Sequence, residues 1–157
     1  MLKVESENFL LKELGLPSFS QRFPWIGGDL QTLRDTFVDE KLYFKNTETV
    51  QISVPSRRRE ELGEEYLIAF INYPLNISRI KGLVLMVHGL GGSSRRRGLR
   101  RMASSLLGSG FAVMRLNLRG ADPGREFASS TYSANCNSDI LPVLEKARKI
   151  SETLGIQ

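Results

Sequence analysis

The length, composition and charge of the chain indicate one globular domain of an ordinary kind. Its 157 residues suffice for a single domain, and 41% hydrophobic and 25% charged residues are typical of a globular protein. A single cysteine, Cys136, and a single histidine, His88, exclude an internal disulfide and a Cys/His zinc site. The apolar runs fall short of the roughly 18 residues that span a bilayer, and the first residues carry charge where a signal peptide is apolar. We therefore expect a cytoplasmic protein.

The net charge of +5 comes largely from two arginine runs, at 57–59 and 95–97, with Arg100 and Arg101 close behind. Such clusters can bind phosphates. Four glutamates between positions 60 and 65 cancel much of the field of the first run. A solvated surface is the simpler interpretation, and the pattern argues against a nucleic-acid partner.

The chain is expected to divide into an extension, residues 1–35, and a main domain, residues 36–157. A short helix is predicted over Glu7 to Leu14, where Gly15 and Pro17 end it. The segment from Phe23 to Gly28 is rich in aromatic and turn residues. Because its Trp and Phe would otherwise be exposed, we expect the extension to pack on the domain.

The main domain shows two early strands and then an alternation of strands and helices. Ser93 or Ser94 is expected to cap the first helix and Ser138 or Asp139 the second. Strands that alternate with helices indicate an α/β fold, and we expect a mostly parallel sheet with flanking helices. The predicted strands cover 42–44, 50–54, 66–71, 83–87 and 111–118, and the apolar helix positions are Leu99, Met102, Ala103, Leu106 and Leu107, then Leu141, Leu144, Ala147, Ile150 and Leu154.

The most informative segment is LVLMVHGLGGSS, residues 83–94. Its apolar run predicts a strand buried on both faces, and its glycines let backbone N–H groups approach a ligand. A phosphate cradle is one interpretation, although the loop has neither the Walker A lysine nor the G-x-G-x-x-G pattern. An oxyanion hole is the second, and a tight turn between strand and helix is the third.

His88 is the only imidazole that could act as a general base. A base needs a nucleophile within hydrogen-bond reach, and the nearest serines, Ser93 and Ser94, are better explained as helix caps. We therefore predict that His88 braces the loop through hydrogen bonds. Cys136 has no identifiable activating partner in the sequence, so we expect an inert thiol.

Three segments together resemble the α/β-hydrolase superfamily, most of all its YheT-like branch of esterases. They are Pro24-Trp25 with Gly27–Leu33, the strand and loop Val84–Ser94, and Leu116–Gly120. The resemblance implies an ester hydrolase that uses Ser, Asp and His without a cofactor or metal. It also implies that the backbone N–H of Leu90, or else Gly91, is an oxyanion donor, with His88, Gly89 and Gly92 supporting the loop.

The sequence departs from this family at the catalytic residues. No G-x-S-x-G motif occurs in the 157 residues, and Asp122 and Asp139 precede the position where that motif would follow, contrary to the Ser-Asp-His order. We therefore predict the N-terminal half of an α/β-hydrolase domain, truncated before the nucleophile strand and inactive alone. The chain would bind a small-molecule ester as substrate only when the missing half of the domain completes the site. A second polypeptide could supply that half. The alternative is a non-catalytic binding module that uses the arginine-rich helix or an exposed strand edge.

Overall fold

A computed structural model describes residues 12–15, 17, 20–37, 42, 44–57, 64–75 and 79–156. The chain divides into two compact units, residues 1–40 and 41–157. The first unit contains helix α1, Gly28–Phe37. Asp29 lies in its first turn, where a negative charge interacts favourably with the helix dipole and stabilises the helix. The two glycines at 27 and 28 indicated a turn, and no helix was predicted there. The helix predicted over Glu7 to Leu14 lies mostly outside the described residues.

The second unit is built on a four-stranded sheet with the strand order β1-β2-β4-β3. The predicted strand at 42–44 is wrong at its two described residues, Leu42 and Phe44, which lie outside any strand. The other predicted strands are present within two residues of their expected ends. Their bounds are Glu48–Val54 for β1, Glu65–Asn72 for β2, Leu83–Val87 for β3 and Ala112–Leu116 for β4.

The sheet is mixed, and the expectation of a mostly parallel sheet is wrong. β1 pairs with β2 and β2 with β4 in antiparallel fashion, and only β3 and β4 are parallel. Parallel neighbours need a long crossover, usually a helix. Among the residues that the structure describes, the β3–β4 connection carries one, helix α2 at Arg97–Gly108. The α/β class itself holds, with helices flanking the sheet.

Neither predicted serine caps α2. Arg96 occupies the N-cap position and makes no side-chain capping bond. Ser94 is instead fully buried, and its backbone N–H donates to Asn117 Oδ1 at 2.9 Å. The chain between β3 and α2 is thus held by a residue that directly follows β4.

The predicted cap of the second helix, Asp139, lies at the expected position but does not make the expected capping hydrogen bond. Helix α3, Ile140–Thr153, has Asp139 at its N-cap, and no side-chain capping bond forms there. A 3₁₀ helix over Ala134–Asp139 precedes it and buries Cys136. The Asp139 carboxylate is directed instead to the buried guanidinium of Arg119.

The core lies on both faces of the sheet. On one face α3 inserts Val143 among Leu67, Ile71, Met114 and Leu116. The opposite face joins Ala103 of α2 to Met86 and Val113. Burial of these side chains supplies the main driving force for folding this unit.

Part of the predicted apolar surface is uncovered. Met102 of α2 and both Leu141 and Leu144 of α3 are exposed. Strand β3, expected to be buried on both faces, is mostly half-buried and leaves Val87 45% exposed. The reason is its position, since among the described residues β3 pairs with β4 alone. No helix in the described part of the chain is long and apolar enough to cross a membrane.

Candidate active site

The predicted loop lies beside a cavity at one edge of the sheet. Because β3 and β4 are parallel neighbours, the loops that follow them, 88–92 and 118–122, emerge side by side. Both loops line a cavity of about 580 Å³, together with Arg96 and Arg125. The structure therefore brings all five predicted loop residues, His88 to Gly92, to one cavity.

His88 connects the two loops through both of its ring nitrogens. Nε2 accepts a hydrogen bond of 3.1 Å from the Leu118 N–H, so Nδ1 carries the proton and donates to Gly89 O at 2.8 Å. Neither nitrogen is bonded to Ser93 or Ser94. The side chain thus holds the loop and is not arranged as a base for either serine.

A tight turn shapes the tip of the loop. The Gly92 N–H donates to Gly89 O at 3.0 Å, and Gly91 lies in the left-handed region with φ of 66°. A Cβ at Gly92 would approach Gly89 O to 2.9 Å and His88 Cβ to 3.1 Å. Glycine is needed at both positions, at one for its conformation and at the other for space.

Two backbone N–H groups of this turn have no acceptor within the part of the chain that the structure describes. They belong to Leu90 and Gly91, whereas the Gly92 N–H is used by the turn. Leu90 is 95% exposed, so its side chain takes no part in the core. Arg96 fixes the other side of the turn by donating from Nη2 to Gly91 O at 3.2 Å. The turn thus presents two free donors at the edge of the cavity.

A buried ionic cluster supports the second loop, and it was not among the predictions from the sequence. Arg119 is 3% exposed and donates from Nε and Nη2 to both carboxylate oxygens of Asp139, at 2.6 and 3.2 Å. Its Nη1 pairs with Glu65, and its Nη2 also reaches Pro55 O at 2.6 Å. The cluster ties the end of β1, the start of β2 and the start of α3 to the loop after β4.

The cluster holds the Glu65 carboxylate ionised. Burial alone would raise the pKa of Glu65, but hydrogen bonds from Ser129, Arg119 and the Arg57 N–H outweigh it and lower this pKa to about 2. Burial likewise lowers the pKa of Arg119, and the bonds and charges of Asp139 and Glu65 more than reverse this, so its pKa is raised. A usable sequence signal was present, because Arg119 directly follows an apolar strand, where a solvated charge is unusual.

The site contains no assembled metal centre within the described residues. No group of three or more His, Cys, Asp or Glu side chains there is arranged to hold a metal ion. The buried Cys136 lies 3.8 Å from Ser133 Oγ and 3.7 Å from Thr131 O, measured from its Sγ. Besides the backbone donors, the arginines and His88, the polar side chains that line the cavity are Ser93, Asp122, Thr131 and Tyr132.

Several solved structures are similar to this chain. Brefeldin A esterase, a bacterial homologue of human hormone-sensitive lipase, matches with a TM-score of 0.50 and 14% identity, over 93% of this chain and 44% of its own. An α/β serine hydrolase without a lid from Xanthomonas campestris matches with a TM-score of 0.49 and 20% identity, over 68% of this chain and 47% of its own. An α/β serine hydrolase homologue from Coxiella burnetii matches with a TM-score of 0.45 and 18% identity, also over 68% of this chain and 47% of its own.

The match to the esterase at a TM-score of 0.50 shows that the chain shares the α/β fold of that enzyme. At this identity the likeness concerns the fold alone. The chain spans less than half the length of each of these structures. No family model and no curated protein matches the sequence.

Proposed function

We propose that this chain supplies the oxyanion loop of a serine ester hydrolase of the YheT-like branch. The observation that carries the proposal is the turn at 89–92, whose Leu90 and Gly91 N–H groups lie free beside the cavity. When an alkoxide attacks an ester carbonyl, negative charge develops on the carbonyl oxygen. Preorganised N–H donors at that oxygen stabilise the transition state, and removal of one such donor costs about 3 kcal/mol in a serine protease.

The proposed division of labour leaves the nucleophile outside these residues. The serine, its acid and its histidine would come from sequence that contains the G-x-S-x-G motif, which the 157 residues lack. His88 supports this view, because both of its nitrogens are bonded to main-chain groups and neither meets a serine. We therefore propose that the chain alone does not hydrolyse esters.

A p-nitrophenyl ester assay tests the catalytic part of the proposal. Circular dichroism first verifies that the purified chain is folded. We then expect it to release p-nitrophenol no faster than a denatured sample of the same chain. Turnover that a serine-directed phosphonate abolishes would contradict the proposal, since it would require a nucleophile among these residues.

The coding sequence beyond the codon for Gln157 gives the complementary test. A strand, a G-x-S-x-G motif and a helix encoded there, or on a second polypeptide that binds this chain, would supply the nucleophile beside β3. Joining that segment to this chain should then produce ester turnover that depends on its serine. If the joined protein folds and remains inactive, the hydrolase proposal fails.

A non-catalytic binding module is the second candidate, and the uncovered edge of β3 favours it. Among the described residues this strand pairs on one side only, and an unpaired edge is a template for another strand. Binding of nucleic acid or anionic lipid that weakens steeply with salt would support this module. A salt-insensitive complex with a polypeptide that carries G-x-S-x-G would support the hydrolase instead.

A further inference from the structure

A second cavity of about 410 Å³ gathers three arginines and two aromatic rings. Arg115 comes from β4, Arg95 and Arg100 come from the start of the α2 region, and Phe44 and Phe70 provide the rings. None of the residues that line this cavity lines the one beside the oxyanion loop. The two cavities are therefore separate, and a ligand in the second is independent of the proposed hydrolase function.

Arg115 is buried without an acidic partner within the described part of the chain. The residue is 4% exposed, and its Nη1 and Nη2 donate to Ser94 O at 3.0 Å and to Asn72 Oδ1 at 2.9 Å. Both acceptors are neutral, and its Nε has no hydrogen-bond partner. A buried charge is normally paired with an opposite charge. Arg115 thus carries a positive charge that these contacts do not neutralise.

Arg119 provides the internal contrast. It is as deeply buried as Arg115, and two carboxylates, Glu65 and Asp139, neutralise its charge. The same strand and the loop after it thus contain one buried arginine with carboxylate partners and one without. This difference makes the environment of Arg115 a specific feature and not a general property of the unit.

The two other arginines add charge of the same sign. The guanidinium carbon of Arg100 lies 5.4 Å from the Phe44 ring centre, and that of Arg95 lies 5.7 Å from the Phe70 ring centre. Arg115 is 4.4 Å from the Phe44 ring centre. Ring faces attract and orient these cations without cancelling their charge. Burial and the charge of Arg100 lower the pKa of Arg115 to about 10, so this buried side chain remains protonated at neutral pH.

We propose that this cavity binds a doubly charged phosphate group, as inorganic phosphate or as a phosphate monoester. Guanidinium groups donate paired hydrogen bonds that match phosphate oxygens, and three of them line this one cavity. The volume falls in the range of small-molecule sites. A bound dianion supplies the opposite charge that Arg115 lacks and relieves the repulsion among the three arginines.

Titration calorimetry of the complete chain with inorganic phosphate tests the site, with chloride at equal ionic strength as the reference. Arg95→Gln and Arg100→Gln should each weaken phosphate binding about tenfold or more, as loss of a charged hydrogen bond does. Arg97→Gln makes the same charge change at the start of α2 and should alter the affinity less than about twofold, because Arg97 does not line the cavity and a more distant charge is screened. Arg115 stays intact in these variants, and circular dichroism verifies their fold.

The source of the phosphate is resolved with two further probes. Tighter binding of glycerol 3-phosphate than of inorganic phosphate would indicate a soluble monoester. Binding to phosphatidylcholine vesicles that requires added phosphatidic acid would indicate a lipid headgroup. The proposal is overturned if no phosphate compound binds better than chloride, or if Arg97→Gln weakens binding as much as Arg100→Gln does.

Discussion

Gly92 shows how one absent side-chain atom sets the geometry of the loop. We predict that Gly92→Ala destabilises the fold by about 1–3 kcal/mol, the usual cost of an overpacked position. Its Cβ would press on Gly89 O, at 2.9 Å, and on His88, which connects the two loops. The free energy of unfolding in urea measures this effect.

Gly89→Ala is the matched control for that substitution. A Cβ at Gly89 meets no atom within 4 Å. We expect a change within about 0.5 kcal/mol, as for most substitutions that disturb no packing. Equal losses for the two variants would show that the close approach at Gly92 does not limit the loop.

The exposed end of β3 leads to a prediction about association. We expect the purified chain to self-associate, because this strand leaves apolar surface and backbone groups uncovered at the sheet edge. Val87→Lys should weaken the association about tenfold, since it replaces an apolar side chain at that edge with a charge. Sedimentation at several concentrations measures the dissociation constant.

Leu75→Lys serves as the control for the edge. Leu75 is as exposed as Val87 and lies in the connection between β2 and β3. The Leu75→Lys substitution should leave the dissociation constant of self-association close to that of the unmodified chain. A similar effect of both lysines would mean that general apolar exposure, and not the β3 edge, drives association.

Local patterns were enough to predict most elements, and long-range pairing was not accessible to them. The apolar run Leu83–Val87 and the helical spacing of Leu99, Ala103 and Leu106 located β3 and α2. The antiparallel contact of β2 with β4 joins residues far apart in the chain, and no short pattern records it. Exposure of Met102 depends in the same way on which surface covers the helix.

Acid should destabilise the second unit through Glu65. The pKa of this carboxyl is about 2 in the fold against an ordinary value of 4.5. Between these values the unfolded chain takes up a proton that the folded chain does not, so stability falls as the pH falls. The contribution is fully present above pH 4.5 and is on the order of 3 kcal/mol, by the free-energy equivalent of a pKa shift. Urea unfolding at a series of pH values measures the slope.

Glu65→Gln isolates this contribution. The amide cannot ionise, so the variant should be less stable at neutral pH and show a shallower loss of stability below pH 4.5. Asp122→Asn removes an exposed carboxylate and should keep the original slope. An unchanged slope in Glu65→Gln would assign the acid sensitivity to other groups.

The candidate site divides in the same manner between local and distant residues. The loop residues 88–92 could be predicted because glycines after an apolar strand are contiguous in the sequence. The Arg119 cluster joins residues 65, 119 and 139, which come from separate elements. Glu65 and Asp139 are ordinary in their own segments, and only the fold makes them partners of Arg119.

Cys136 offers a chemical measure of how firmly these separate segments are held. It is the only thiol of the chain, and it is buried in the 3₁₀ helix that ends at Asp139, a partner of Arg119. A thiol reagent can reach it only when that segment opens. Its rate of labelling in the folded chain therefore reports how often the ionic cluster around Arg119 opens, without any engineered probe.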